Sequence, residues 1–244
     1  MGAGRKENTA AAVKRRLARI IDLLEREFGV PRRRSRTDDL VGSLVSTVLS
    51  QNTTDLNSGR AYSSLRERFA GWEDVARASE SSIERAIRSG GLARTKARRI
   101  RAMLRSIEEE TGELDLDFLS GLPTGDVLEY LRSFDGVGPK TAACVALFGL
   151  GRDVMPVDTH VHRVIGRLGI VGEPRGPEKT FRALEGVVPE GRSLSLHVNL
   201  IRLGRTACRP TDPACDQCPL RRLCRFAAAR PKGGLRPMGG PEMA

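Results

Sequence analysis

The chain has 244 residues, a net charge of +11 from 41 Lys and Arg against 30 Asp and Glu, and only 4% aromatic residues. That length can bury a substantial aliphatic core in one or two domains, and the charge suits a polyanion such as nucleic acid, with an anionic membrane surface as the competing reading. No apolar run approaches the ~20 residues that span a bilayer and the start shows no signal stretch, so a cytoplasmic, nucleic-acid-associated chain with no membrane partner is expected.

Met1-Gly2 superficially matches a lipidation start, but Lys6 stands where Ser or Thr would be required. Val13, Leu17, Ile20, Ile21, Leu24 and Phe28 recur at helical spacing and mark one buried face. The basic link Arg32-Arg33-Arg34-Ser35-Arg36 leads to a second helix. Thr37 is the expected N-cap there, Asp38 and Asp39 fall in the first turn, and Leu40, Val41, Leu44, Val45, Val48 and Leu49 face inward. Ser81 and Glu84 match a capping box ahead of Ile83 and Ile87. A helix from about Thr95 carries Ile100, Met103, Leu104 and Ile107 on one side and Arg94, Arg98, Arg101 and Arg105 on the other, a stripe that is either a solvated face or a phosphate contact.

Further helices are expected at about 124–134, 140–150, 158–169, 177–187 and 192–206, and no segment alternates like a strand, which makes the chain all-α with about ten helices. Between the first two of these lies F-D-G-V-G-P-K-T-A-A, residues 134–143. Gly136 and Gly138 can adopt positive φ without a Cβ clash, Pro139 suits the first helical position, and the amides of such a turn face an anion well. Lys140 follows within the first helical turn, beside the positive end of the dipole. Its charged form should be disfavoured there, so it is either a nucleophile or a plain phosphate contact. Asp158, in Pro156-Val157-Asp158-Thr159-His160, is an N-cap by position, yet its second oxygen can face a cleft and serve as the carboxylate partner of an amine nucleophile.

Cys208, Cys215, Cys218 and Cys224 form a C-x6-C-x2-C-x5-C run, and four thiolates so close can surround one metal centre. Disulfides are disfavoured in a chain without export signals; zinc and an iron–sulfur cluster remain open, with the compact asymmetric spacing leaning toward the cluster. Cys144 reads as a small buried hydrophobe. The tail from Arg230 is rich in Pro and Gly and is expected to lack structure.

Together, G-V-G-P-K-T, V-D-T-H and the cysteine run resemble endonuclease III and its relatives among the helix–hairpin–helix DNA glycosylases, over about residues 13 to 227. The resemblance implies a six-helix barrel at 34–154, an iron–sulfur domain built from 11–33 and 155–227, and flexible tails at 1–10 and 228–244. It implies that Lys140 attacks the sugar C1′ of a damaged nucleotide and that Asp158 supports the developing charge. Gln51 and Leu92 would fill the space left by the extruded nucleotide, and Gly136, Gly138, Thr141 and His160 would also contact DNA. Cys208, Cys215, Cys218 and Cys224 would hold a [4Fe–4S] cluster that presents Arg221 and Arg222 to DNA. The implied partner is duplex DNA with damaged bases or abasic sites, met by a monomer, and the implied activity is a pyrimidine-specific glycosylase with β-elimination lyase activity. A monofunctional glycosylase on mismatched, uracil or 5-methylcytosine-type bases and a non-catalytic DNA-binding iron–sulfur protein are the alternatives. Asp135 departs from the family pattern, which often has Pro there. L-S-Q-N-T-T-D and the cluster segment are more similar to the plant 5-methylcytosine glycosylases. Adenine-specific mismatch glycosylases usually lack the hairpin lysine.

Overall fold

In the computed structural model, residues 3–32, 37, 39–171 and 176–229 are described; within them the backbone forms α-helices, short 3₁₀ turns and one π-helical segment, with no strand. The helices are α1 (Ala3–Phe28), α2 (Leu40–Leu49), α3 (Asp55–Arg68), α4 (Trp72–Arg77), α5 (Glu80–Ala86), α6 (Ala93–Thr111), α7 (Thr124–Ser133), α8 (Pro139–Cys144), α9 (Thr159–Leu168), α10 (Pro177–Leu184), α11 (Ser193–Thr206) and α12 (Arg225–Ala228). The all-α expectation holds. The helices outnumber the expected ten: α4 and α12 are too short for periodicity to register, and α3 gives no apolar pattern because it buries only Ser58, Ala61 and Leu65 along its length.

Two buried apolar clusters organise the chain. The first joins α2 to α8, with Leu44, Leu49, Leu65, Ile83, Ile87, Ile100, Leu104 and Leu131 at its centre. The second draws Leu17, Ile20, Ile21 and Leu24 of α1 against Val161, Ile165 and Leu168 of α9 and Leu196, Leu200 and Leu203 of α11. Phe181 of α10 packs against both. Arg16 fastens the second cluster: its guanidinium donates to Leu168 O at 2.6 Å, Gly169 O at 3.0 Å and Leu223 O at 2.7 Å. It thereby supplies donors to the carbonyl end of α9 and ties α1 to the cysteine segment.

Several local expectations need correction. Asp39, not Thr37, caps α2: its Oδ1 accepts from Gly42 N at 2.6 Å and from Trp72 Nε1 at 3.0 Å, while Thr37 Oγ1 accepts from Asp39 N. The carboxylate meets two donors there, which a threonine hydroxyl two residues earlier does not reach. Ser79 caps α5, with Oγ accepting from Ser82 N at 3.2 Å; Ser81 is already inside the helix and meets Ser79 through its hydroxyl. The arginine stripe on α6 is divided. Arg101 Nε and Arg105 Nε donate to Ala78 O and Ala76 O at the end of α4, whereas Arg94 and Arg98 remain exposed. Most of the basic link, Asp38, Met1-Gly2 and the tail from Arg230 lie outside the described residues.

Candidate active site

The hairpin is built as an exchange of one helix for another. α7 ends at Ser133, Val137 N closes the turn onto Phe134 O at 3.1 Å, and α8 begins at Pro139. Gly136 has φ of 80°, and a Cβ there would meet the Arg99 side chain at 2.6 to 2.7 Å. The positive φ is what requires glycine there, since the end of the Arg99 side chain can move aside. Gly138 does not match that expectation: its φ is −83° with ψ of 178°, the extended geometry of an N-cap. Glycine at that position leaves the N-terminal amides of α8 without a capping side chain. Asp135, the departure in the turn, is offset by Arg99, whose Nε stands 3.3 Å from Asp135 Oδ2.

Lys140 faces a cleft of about 1410 Å³, which is also lined by Asp158, Gln51, Gly136, His160 and Cys144. Asp158 Oδ1 caps α9 by accepting from Val161 N at 2.7 Å, and the capping residue also borders the cleft. Gln51 Nε2 donates to Gly136 O at 2.9 Å and to Thr141 Oγ1 at 3.1 Å. Thr141 is 5% exposed and holds Gln51 from within. His160 accepts from Arg163 Nη2 at 3.1 Å through Nδ1, and Arg163 also donates to Gly204 O. Leu92 lies apart from this lining, 60% exposed, with φ of 48°; it is no core leucine.

Sequence reasoning missed three participants. His197 is buried on α11, donates through Nδ1 to Pro156 O at 2.9 Å and meets the Phe148 ring at 5.7 Å. Burial pushes its pKa down to about 4, so it is a neutral imidazole whose Nε2 can only accept. Phe148, 44% exposed, lies on the π-helical segment Val145–Gly149 and lines the cleft with Leu147, Leu194, Val198 and Ile201. Arg205 Nη1 meets Asp55 Oδ2 at 2.8 Å across the cleft, and this bond holds the Asp55 carboxyl below its ordinary pKa. The spacing of Leu194, Val198 and Ile201 along α11 was legible as a helical face, but not that it looks into a cleft.

Cys144 is buried behind Lys140, and burial raises its thiol pKa while Lys140 opposes that shift. None of the five cysteines is paired in a disulfide. Cys208, Cys218 and Cys224 pack against the second apolar cluster. Cys208 Sγ accepts from Arg167 Nη1 at 3.4 Å, and Cys224 Sγ donates to Arg167 O at 3.4 Å. Burial pushes the Cys218 thiol up to about 11, and Cys208, Cys224 and Cys215 each add to the rise, which places the four thiols in one neighbourhood. Among the described residues, no three His, Cys, Asp or Glu side chains stand close enough to hold a metal ion. In kind, though not in the spacing of the side chains, four thiols on one short segment are the donors of a soft thiolate-bound centre. Arg221, on the same segment, is engaged by Asp216 at 2.9 Å.

Residues 45–190 match the family model of the HhH-GPD superfamily base excision DNA repair proteins. An endonuclease III of Thermotoga maritima is 36% identical over 219 residues, covering 89% of this chain and 98% of that protein. A putative DNA glycosylase of Arabidopsis thaliana is 41% identical over 168 residues, 69% of this chain, and that match spans 57% of the plant protein. Among solved structures, an endonuclease III trapped as a covalent intermediate with DNA superposes with a TM-score of 0.73 at 28% identity, covering 88% of this chain and 97% of that one.

Proposed function

The chain belongs to the HhH-GPD superfamily of base excision DNA repair proteins, and on that premise we propose that it is a bifunctional enzyme, a DNA glycosylase and abasic-site lyase acting on damaged pyrimidines. Its class, a DNA-binding glycosylase of base excision repair, is that of its relatives. One observation carries the finer reading: Lys140 and Asp158, contributed by different helices, line the same cleft.

The chemistry then runs through named atoms. Lys140 Nζ, once it has given up its proton, attacks C1′ of the extruded nucleotide; the C1′–N bond breaks, and the base leaves with a proton. Asp158 stabilises positive charge on the sugar as that bond opens. The C1′–O4′ bond then opens as the amine's electron pair forms a protonated Schiff base with C1′, and O4′ takes up the proton that the attacking amine releases. Loss of a C2′ proton breaks the C3′–O bond and expels the 3′ phosphate, and water hydrolyses the imine, returning the lysine and leaving an unsaturated aldehyde on the sugar. Gln51 and Leu92 fill the vacated stack, while Gly136, Gly138, Thr141 and His160 hold the backbone or the groups that reach it. That Gln51 and Gly136 share a hydrogen bond at the cleft supports this assignment. Phe148 and the aliphatic face of α11 offer the base an apolar wall.

The same reading assigns 34–154 to a barrel domain and 11–33 with 155–227 to a second domain, supported by the two separate apolar clusters, and takes the protein as a monomer. Cys208, Cys215, Cys218 and Cys224 would hold a [4Fe–4S] cluster, which would stiffen the loop bearing Arg221 and Arg222. The purified protein should then absorb broadly near 400 nm as expected of iron–sulfide thiolate centres, and colourless protein with stoichiometric zinc would refute that. No helix among the described residues is long and apolar enough to cross a membrane.

Duplexes carrying oxidised, mismatched and methylated pyrimidines, scored for base release with and without alkali, test the activity. Strand cleavage without alkali on an oxidised pyrimidine is expected. Base release with a strand that stays intact until alkali is added would make the enzyme monofunctional, and release from none would leave only a binding protein.

A further inference from the structure

Lys96 is a lysine that the chemistry leaves unused, and it is 2% exposed. From α6 its Nζ donates to Leu49 O at 2.7 Å and to Gly90 O at 2.8 Å. A buried ammonium is costly unless its donors are satisfied, and these two acceptors are of a particular kind. Leu49 is the last residue of α2 and Gly90 the last of the 3₁₀ turn Arg88–Gly90; carbonyls at helix ends lack intrahelical donors and carry the negative end of the dipole. One charge therefore closes two helix ends at once.

Each of these ends leads directly into a loop of interest. Gln51 follows Leu49 by two positions, and Leu92 follows Gly90 by two. Both loops carry unfavourable backbone: Asn52 has φ of 52° and Leu92 has φ of 48°, and among the described residues the only other non-glycine with positive φ is Asp212. Such conformations persist only where surrounding contacts enforce them. The two loops also approach closely, since a Cβ on Gly90 would meet Ala61 Cβ at 3.1 Å and Leu49 O at 4.0 Å.

We propose that Lys96 is a positioning residue that locks the Gln51 loop to the Leu92 loop, so that the two side chains enter the DNA stack as a single unit. The proposal rests on the reading of Gln51 and Leu92 as the side chains that fill the vacated space. Unstacking a base opposes entry, and a loop held in its inserted geometry beforehand loses less entropy on entry than a loose one.

The test compares an abasic site in duplex DNA with the same site in a single strand, where nothing has to be pushed out of a stack. Lys96→Met should lose about tenfold or more on the duplex while changing the single-strand rate less than about twofold. Lys96→Gln, which keeps an amide donor, should recover part of the duplex loss and carries the test if the Met variant folds poorly by circular dichroism. Combining Lys96→Met with Gln51→Ala should cost less than the product of the single losses, because both act on one loop. Equal losses on the two substrates, or multiplicative losses in the double variant, would overturn the positioning role. Gln51→Ala and Leu92→Ala acting normally on duplex DNA would instead overturn the reading of those two side chains.

Discussion

Gln51 Nε2 donates to the Gly136 carbonyl at 2.9 Å, which fastens the loop after α2 to the hairpin that precedes Lys140. The side chain assigned to the vacated stack and the turn assigned to the DNA backbone are thus in direct contact, and Gln51 also meets Thr141, the residue after Lys140.

Gln51→Ala should therefore do more than remove a wedge. Losing the hydrogen bond should lower stability by about 1 kcal/mol, measurable by urea unfolding. Duplex cleavage should fall by more than that stability change accounts for. Equal effects on cleavage of duplex and single-stranded abasic sites would argue against it.

The two hairpin glycines should respond differently. Gly136→Ala forces a Cβ onto φ of 80° and into the Arg99 side chain, which should cost about 1–3 kcal/mol and weaken DNA binding. Gly138→Ala meets no atom within 4 Å at a φ of −83°, so its cost should stay below about 1 kcal/mol, the scale of an N-cap preference. Thermal melts of both variants decide this, and equal losses would contradict it.

The residues proposed for catalysis were legible as cleft residues because their signals are local: G-V-G-P-K-T is a turn with its helix start, and Asp158 is a cap. Gln51 and Leu92 came only through the resemblance, and nothing in the linear order indicated that Gly90 passes close to Leu49. Lys96 and His197 were missed because their meaning depends on burial. A lysine among the arginines of α6 reads as another solvated charge, and a lone histidine on an apolar face reads as core. The capping errors at Thr37 and Ser81 have a similar source, since several side chains near each helix start could cap and only tertiary contacts such as Trp72 with Asp39 choose between them.

Acid should destabilise the protein through His197. Burial holds its folded pKa near about 4, below the ordinary 6.5, with Asp158 opposing the shift and Lys140 adding to it. The unfolded chain takes up the proton first as pH falls, so this contribution is complete above about 6.5 and is lost progressively toward pH 4. Unfolding midpoints should drop between pH 7 and pH 4.5, and His197→Gln should flatten that part of the profile. A wild-type midpoint unchanged across that range would contradict the assignment.

Phe148→Ala removes the aromatic part of the cleft wall. A stacked base contributes about 1–3 kcal/mol in comparable sites, so base removal should slow by tenfold or more. Cleavage of a preformed abasic site, which has no base to stack, should stay near wild type. Similar losses on both substrates would show that Phe148 supports the fold rather than the base.

The most direct measurement is borohydride trapping on duplex DNA with an abasic site. The wild-type protein should form a covalent protein–DNA adduct, and Lys140→Gln should form none while keeping its melting temperature and its salt-dependent duplex binding. An absent adduct in the wild type, or an undiminished one in Lys140→Gln, would contradict the assignment of Lys140 as the nucleophile.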